Sequence, residues 1–211
     1  MGHLPRLLND AYKFSLLHPH KKQGGRGTRP FCFFLDKGRG PGYNGSKITL
    51  GGSAMRRKDR EVTGQAEIEG ILQRAQVLRI ALNDGAYPYL LPVNFGFRRE
   101  GGKLVLFFHS GMEGRKHQVI AADPHAAFEV DGAYRLLPPT GAEGCTTGFA
   151  YESAIGQGVI TLAEEGEKEE LLTALLAHYG VVGKGLSPTA VAQTAVYKLT
   201  VEHITGKRRE A

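Results

Sequence analysis

The chain has 211 residues, a formal net charge of +6 and 41% hydrophobic residues. That length suits one domain with a short appendage, and no apolar run approaches the ~18 residues that cross a bilayer. A soluble globular protein is expected. The two cysteines, Cys32 and Cys145, are too few for a disulfide framework or a metal set and fit a reducing, cytoplasmic setting.

The charge is unevenly spread. Residues 1–54 hold nine of the 27 Lys and Arg but only two acids, Asp10 and Asp36, for a net +7; residues 55–211 carry a net −1. The same stretch holds ten of the 29 glycines and ends in the linker-like Gly51-Gly52-Ser53-Ala54. It reads as a disordered or weakly ordered basic extension. Three readings compete: an arm for nucleic acid or anionic lipid, a targeting peptide, or an extension without function and a natural start at Met55. The targeting reading lacks an apolar core with a small-residue cleavage site. The arm reading lacks an aromatic-plus-Arg stacking pattern, and His18-Pro19-His20 is too sparse for a metal site. The third reading is preferred.

From Met55 the pattern is regular. Thr63 can cap a helix carrying Ile68, Ile71, Leu72 and Ala75 on one face. Val77 to Leu82 reads as a strand and Asn83-Asp84-Gly85 as a hairpin turn. Tyr87 to Phe97 reads as one long strand, and Pro88 and Pro92 place it at an edge or a bulge. Glu100-Gly101-Gly102 turns the chain into a strand over Lys103–Phe108, and a helix with Val119, Ile120 and Ala122 follows, stopped at Asp123-Pro124. His125–Val130 is the next strand and residues 132–147 read as a loop. Tyr151–Leu162 is a long strand, Glu167–Tyr179 a helix closed by Gly180, and Val196–Ile204 a final strand with period-2 alternation. Six strands at hairpin spacing with few helices predict an antiparallel barrel.

The densest chemistry lies between the third strand and its helix, in Phe107-Phe108-His109-Ser110-Gly111-Met112-Glu113-Gly114-Arg115-Lys116. A strand end here delivers a hydroxyl, free backbone N–H groups and two cations to a helix N-terminus, where the dipole favours an anion. Arg115 and Lys116 add charge-assisted bonds. The plainer reading is a strand-turn-helix with a solvated basic turn.

Taken in order, Met55-Arg56-Arg57-Lys58-Asp59-Arg60-Glu61-Val62, Leu82-Asn83-Asp84-Gly85, Pro88 to Phe97, Phe108-His109-Ser110, Gly114-Arg115-Lys116, Phe128-Glu129-Val130-Asp131 and Tyr151 to Gly156 resemble the pyridoxamine 5′-phosphate oxidase-like proteins. These are the FMN-binding split barrels, and the likeness is strongest to the group named for 5-nitroimidazole resistance. It covers nearly all of 55–211 and none of 1–54. The resemblance implies a six-stranded antiparallel split β-barrel, mainly β with a few α-helices, that forms a homodimer with FMN at the subunit interface. By that likeness Pro92, Val93, Asn94 and Phe95 pass the isoalloxazine, and His109, Ser110, Arg115 and Lys116 hold the ribityl phosphate end.

His109 carries two readings. The resemblance gives it a part in the reaction, and an imidazole titrating near neutrality can pass a proton to a substrate. Alternatively it only hydrogen-bonds FMN. Cys145 lacks a nearby His and reads as an incidental thiol; His117 and His125 read as surface residues, while Tyr151 and Ser153 are candidates to face the cofactor. No metal site is expected, nor a membrane or nucleic-acid partner. The preferred function is an FMN-dependent oxidoreductase acting on nitro compounds or another small acceptor, with NAD(P)H as a candidate donor. True pyridoxamine-phosphate oxidation is disfavoured because the substrate-phosphate Arg/His pattern is not evident. A non-catalytic flavin or haem binding or sensing module is the alternative.

Overall fold

The structure is a computed structural model and describes Met55 and residues 57–210. The basic extension 1–54, its linker and Cys32 lie outside the described residues. Eight strands and four α-helices follow in the order β1 (Glu61–Val62), α1 (Gln65–Arg74), β2 (Leu78–Leu82), β3 (Tyr89–Val93), β4 (Phe95–Glu100), β5 (Lys103–Gly111), α2 (Arg115–Ala122), β6 (His125–Leu137), β7 (Gly148–Leu162), α3 (Lys168–His178), α4 (Pro188–Ala192) and β8 (Thr194–Arg209).

All strand pairs are antiparallel and run in the order β3-β2-β6-β7-β8-β5-β4, with β1 added on β8. The two outermost strands of this path, β3 and β4, are consecutive in sequence and separated only by Asn94. Neighbouring Cα atoms lie about 3.8 Å apart, so the sheet must curl until its two edges meet at Asn94. No ladder joins β3 to β4, so the barrel is closed at that end and split beyond it. The predicted single strand Tyr87–Phe97 is therefore two. Both halves are edges, as the prolines require: Pro92 pairs only with Arg79 on β2 and has no N–H to offer a further strand.

Two cores flank the sheet. Inside the barrel, Ile68, Ile71 and Leu72 of α1 pack on Leu78, Ile80, Phe95, Leu106, Phe108, Phe128 and Leu199. Each large side chain so buried contributes about 1.5–3 kcal/mol. Outside it, α3 lays Leu171, Leu172 and Leu175 over Phe107, Ala163 and Val196. Strand β5 is covered on both faces, which accounts for its unbroken apolar run Leu104–Phe108. Gly96 belongs to this contact: a Cβ there would sit 2.4 Å from the Phe107 ring and 3.2 Å from the Leu175 Cα. Glu152, buried on β7, is held by Arg74 of α1 at 2.6 and 2.7 Å and by Arg208 of β8 at 3.4 Å.

Several expectations are corrected. The α1 N-cap is Gly64, with no side-chain cap, so Thr63 does not start the helix. The β2–β3 connection spans residues 83–88, longer than a tight hairpin, with Gly85 at φ 69°. Residues 132–137, read as loop, are strand, and β7 begins at Gly148, three residues before the expected Tyr151. The β6–β7 ladder continues past a register shift between Gly132 and Arg135, where Ala133 takes φ 53°, and Leu136 pairs with Phe149. Residues 133–136 are exposed in succession, so no inside–outside alternation marks that end of β6. Helix α4 rests on Pro188 at its first position after Ser187, a short signal without an apolar period.

Candidate functional site

The end of β5 splits its residues between the two cores. Phe108 and Ser110 turn into the barrel side; Phe107 and His109 turn toward α3. Ser110 is buried and its Oγ donates to the Gly111 carbonyl at 2.8 Å. The His109 side chain makes no hydrogen bond within the described residues. Burial, and next the charge of Lys116, push the His109 pKa below its ordinary value, so the imidazole is neutral at pH 7.

Gly114 opens α2 at φ 129°, a conformation that disfavours any side chain. It provides no side-chain cap, so the first helical N–H groups have no partner from that residue. The N–H of His117 is already taken by the Gly114 carbonyl at 3.2 Å. Arg115 and Lys116 diverge in role. The Arg115 guanidinium lies 2.5 Å from Asp84 Oδ2 and 5.3 Å from the centre of the Tyr89 ring, tying α2 to the β2–β3 connection. Lys116 is half-buried and forms no ion pair within the described residues. A phosphate thus fits here: one uncommitted ammonium, uncapped N–H groups and the positive end of a helix dipole.

His117, read from sequence as a surface residue, is half-buried and holds this segment together. Its Nε2 lies 2.9 Å from the Gly111 carbonyl and its Nδ1 2.5 Å from the Tyr197 hydroxyl. A carbonyl can only accept, so Nε2 carries the proton and, in the neutral ring, Tyr197 donates to Nδ1. One side chain thereby ties α2 to both β5 and β8. The signal was present: His117 lies three residues before the buried Ile120, on the same helical face. His125 is exposed and bonded to Asp123 at 2.7 Å, as expected of a surface residue.

The β3–β4 joint comes to the same place. Phe95 pairs with Phe108, and one residue further on are Asn94 and His109. Pro92 and Asn94 are exposed and Val93 is half-buried, whereas Phe95 is fully buried. The Phe95 N–H donates to the Tyr179 hydroxyl at 3.1 Å, and that hydroxyl donates to the Gln76 carbonyl at 2.8 Å. His178 packs on Phe95 at 4.7 Å between ring centres. Phe95 is therefore committed to the core, and its neighbours Pro92 to Asn94 carry the open surface. Tyr179 and His178 had no sequence signal beyond the end of a helix.

Tyr151 and Ser153 are not brought to this place within one chain. Ser153 pairs with Lys207, eleven residues along β8 from Val196, the partner of His109; that is up to ~36 Å of strand. Burial alone would raise the Tyr151 phenol, but hydrogen bonds from Lys207 and Arg60 outweigh it and hold its pKa below the ordinary value. Cys145 is exposed, and its bond to Glu143 at 3.4 Å raises the thiol pKa, the opposite of an activated nucleophile. Among the described residues no group of three or more His, Cys, Asp or Glu is placed to hold a metal ion, and no helix is long and apolar enough to cross a membrane.

Residues 64–208 match the pyridoxamine 5′-phosphate oxidase family. The chain belongs to that family. Comparison with curated protein sequences returns no match. Among solved structures, a Bacteroides thetaiotaomicron protein assigned to 5-nitroimidazole antibiotic resistance shares 25% identity at TM-score 0.61, over 70% of this chain and 86% of that one. A FAD and haem binding protein from Mycobacterium smegmatis shares 20% identity at TM-score 0.61, over 72% and 74%. The flavocytochrome Anf3 from Azotobacter vinelandii shares 17% at TM-score 0.60, over 75% and 73%. Family and fold together place the chain in the FMN-binding split barrel superfamily.

Proposed function

We propose that the protein is an FMN-dependent oxidoreductase that works as a homodimer and reduces a small acceptor, nitro compounds among them, with NADH or NADPH as donor. The observation that carries this reading is the convergence of three features at one strand end: the uncommitted Lys116 on an uncapped helix, the open Pro92–Asn94 edge, and His109 beside Asn94. The likeness to the Bacteroides protein supports the nitro-compound class. A single phosphate-holding group favours FMN among the flavins.

When bound, FMN supplies the hydride and electron transfer. The residues of the chain do the rest. Lys116 and the first N–H groups of α2 hold the phosphate, Arg115 and His117 fix that helix end, and Pro92 to Asn94 offer edge backbone groups to the ring system. His109 relays a proton: the neutral imidazole gives its N–H proton at one nitrogen and collects another from solvent at the other. The exposed Tyr134, Leu136, Phe149 and Ile155 support a second copy as cover, since apolar patches of this kind mark interfaces.

The test is anaerobic titration of the purified protein with NADH and then NADPH, followed in the flavin absorption bands, and reoxidation by a 5-nitroimidazole. Bleaching by one nicotinamide and recovery with the nitro compound supports the reading. A tightly held flavin reduced by neither nicotinamide refutes the oxidoreductase and leaves a flavin-binding module.

A further inference from the structure

Between α3, α4 and the end of β5 lies a partly open cavity of about 190 Å³. Its walls are Leu172 and Leu175 of α3, Leu186 of the following loop, Val191 of α4, Thr194 at the start of β8, and His109. It continues the outer core, whose floor is Phe107 and Val196. The Thr194 hydroxyl is spent on the Ala190 carbonyl at 2.7 Å. Among the described residues, His109 is left as the only lining side chain with an uncommitted hydrogen-bond donor. An apolar cavity with one placed polar group is the usual build of a small-molecule site.

The size and chemistry of the walls narrow the occupant. An apolar cavity of roughly 150 Å³ stays dry and takes one benzene ring, so this one admits a single ring with a small substituent. A bare carboxylate or an ammonium would lose its hydration against the leucines without an opposite charge among the lining side chains of the described residues. We propose that this cavity binds an uncharged single-ring aromatic whose polar substituent hydrogen-bonds His109, and that it sets which acceptors the protein takes. The second half rests on the oxidoreductase reading, because Asn94, the strand-end neighbour of His109, lies on the edge assigned to the flavin.

The test uses the full chain as purified, with toluene and nitrobenzene as probes and leucine-methyl NMR as readout. Both probes should shift the methyl signals of Leu172, Leu175 and Leu186 and leave those of the barrel core unmoved. Ala190→Phe and Leu186→Trp fill the cavity from the exposed helix and the loop, and each should abolish the shifts. His109→Ala should keep toluene but lose the preference for nitrobenzene. In turnover, Ala190→Phe should raise the KM for nitrobenzene about tenfold or more with kcat retained. Absent shifts, shifts elsewhere, or unchanged binding in both filling variants overturn the proposal. A chain that binds toluene here but holds no flavin refutes the proposed function alone. A flavoprotein whose Ala190→Phe variant reduces nitrobenzene with unchanged KM refutes the pocket alone.

Discussion

Lys116→Ala tests the phosphate site where it is most exposed to failure. The ammonium is half-buried, makes no ion pair within the described residues, and stands beside helical N–H groups that no side chain caps. A charge-assisted hydrogen bond of this kind contributes about 1.5–3 kcal/mol, so Kd for FMN should rise about 10- to 150-fold. Riboflavin has the same ring and no phosphate, and its affinity should change little. Arg115→Ala is the internal control. Its guanidinium already faces Asp84 and the Tyr89 ring, so the variant should weaken FMN less than Lys116→Ala while loosening the β2–β3 connection, whose Asp84 carboxylate would lose its ion-pair partner. The assay is fluorescence titration of the flavin-free chain with each flavin. Equal loss of FMN and riboflavin in Lys116→Ala, or a larger loss in Arg115→Ala, would refute the assignment.

Three further outcomes follow from the packing. His117→Phe leaves the Tyr197 hydroxyl buried without its partner, so the variant should lose about 1–3 kcal/mol in urea unfolding and bind FMN more weakly; unchanged stability would mean α2 is not held through His117. Glu152 has its pKa lowered by hydrogen bonds from Arg74 first and by Arg208. Its contribution is therefore complete above its unfolded value near 4.5 and fades as pH falls through the lower folded value, so Glu152→Gln should be less stable at neutral pH and flatter in its acid limb. A variant with the same acid limb as the parent would contradict the ion-pair account. Gly96→Ala drives a methyl into the Phe107 ring and toward the Leu175 backbone, and thermal unfolding should report a loss of about 1–3 kcal/mol.

Most of the barrel was legible because its strands bury one face or both. The runs at Leu78–Leu82, Leu104–Phe108 and Val196–Leu199 state their burial directly in residue type. What was not legible depends on long-range closure. Nothing local at Asn94 says that Val93 belongs to one edge of the sheet and Phe95 to the other; that follows only when β2 and β5 claim their separate partners. The end of β6 was missed because residues 133–136 are exposed in succession, so hydrogen bonding to β7 rather than alternation defines it. At the site, the strand-turn-helix and its cations were readable from His109 to Lys116. The division of labour between Arg115 and Lys116 was not, because it is set by Asp84 and Tyr89, some thirty residues upstream. His117 was readable by its spacing to Ile120, but polarity suggested the surface.

The most direct measurement is the absorption spectrum of the purified full chain, with the released chromophore identified by mass. The account predicts the two bands of an oxidised flavin, released as FMN, at one per subunit of a dimer in light scattering. A colourless chain that takes up neither FMN nor FAD, or a haem Soret band with no flavin, would contradict it.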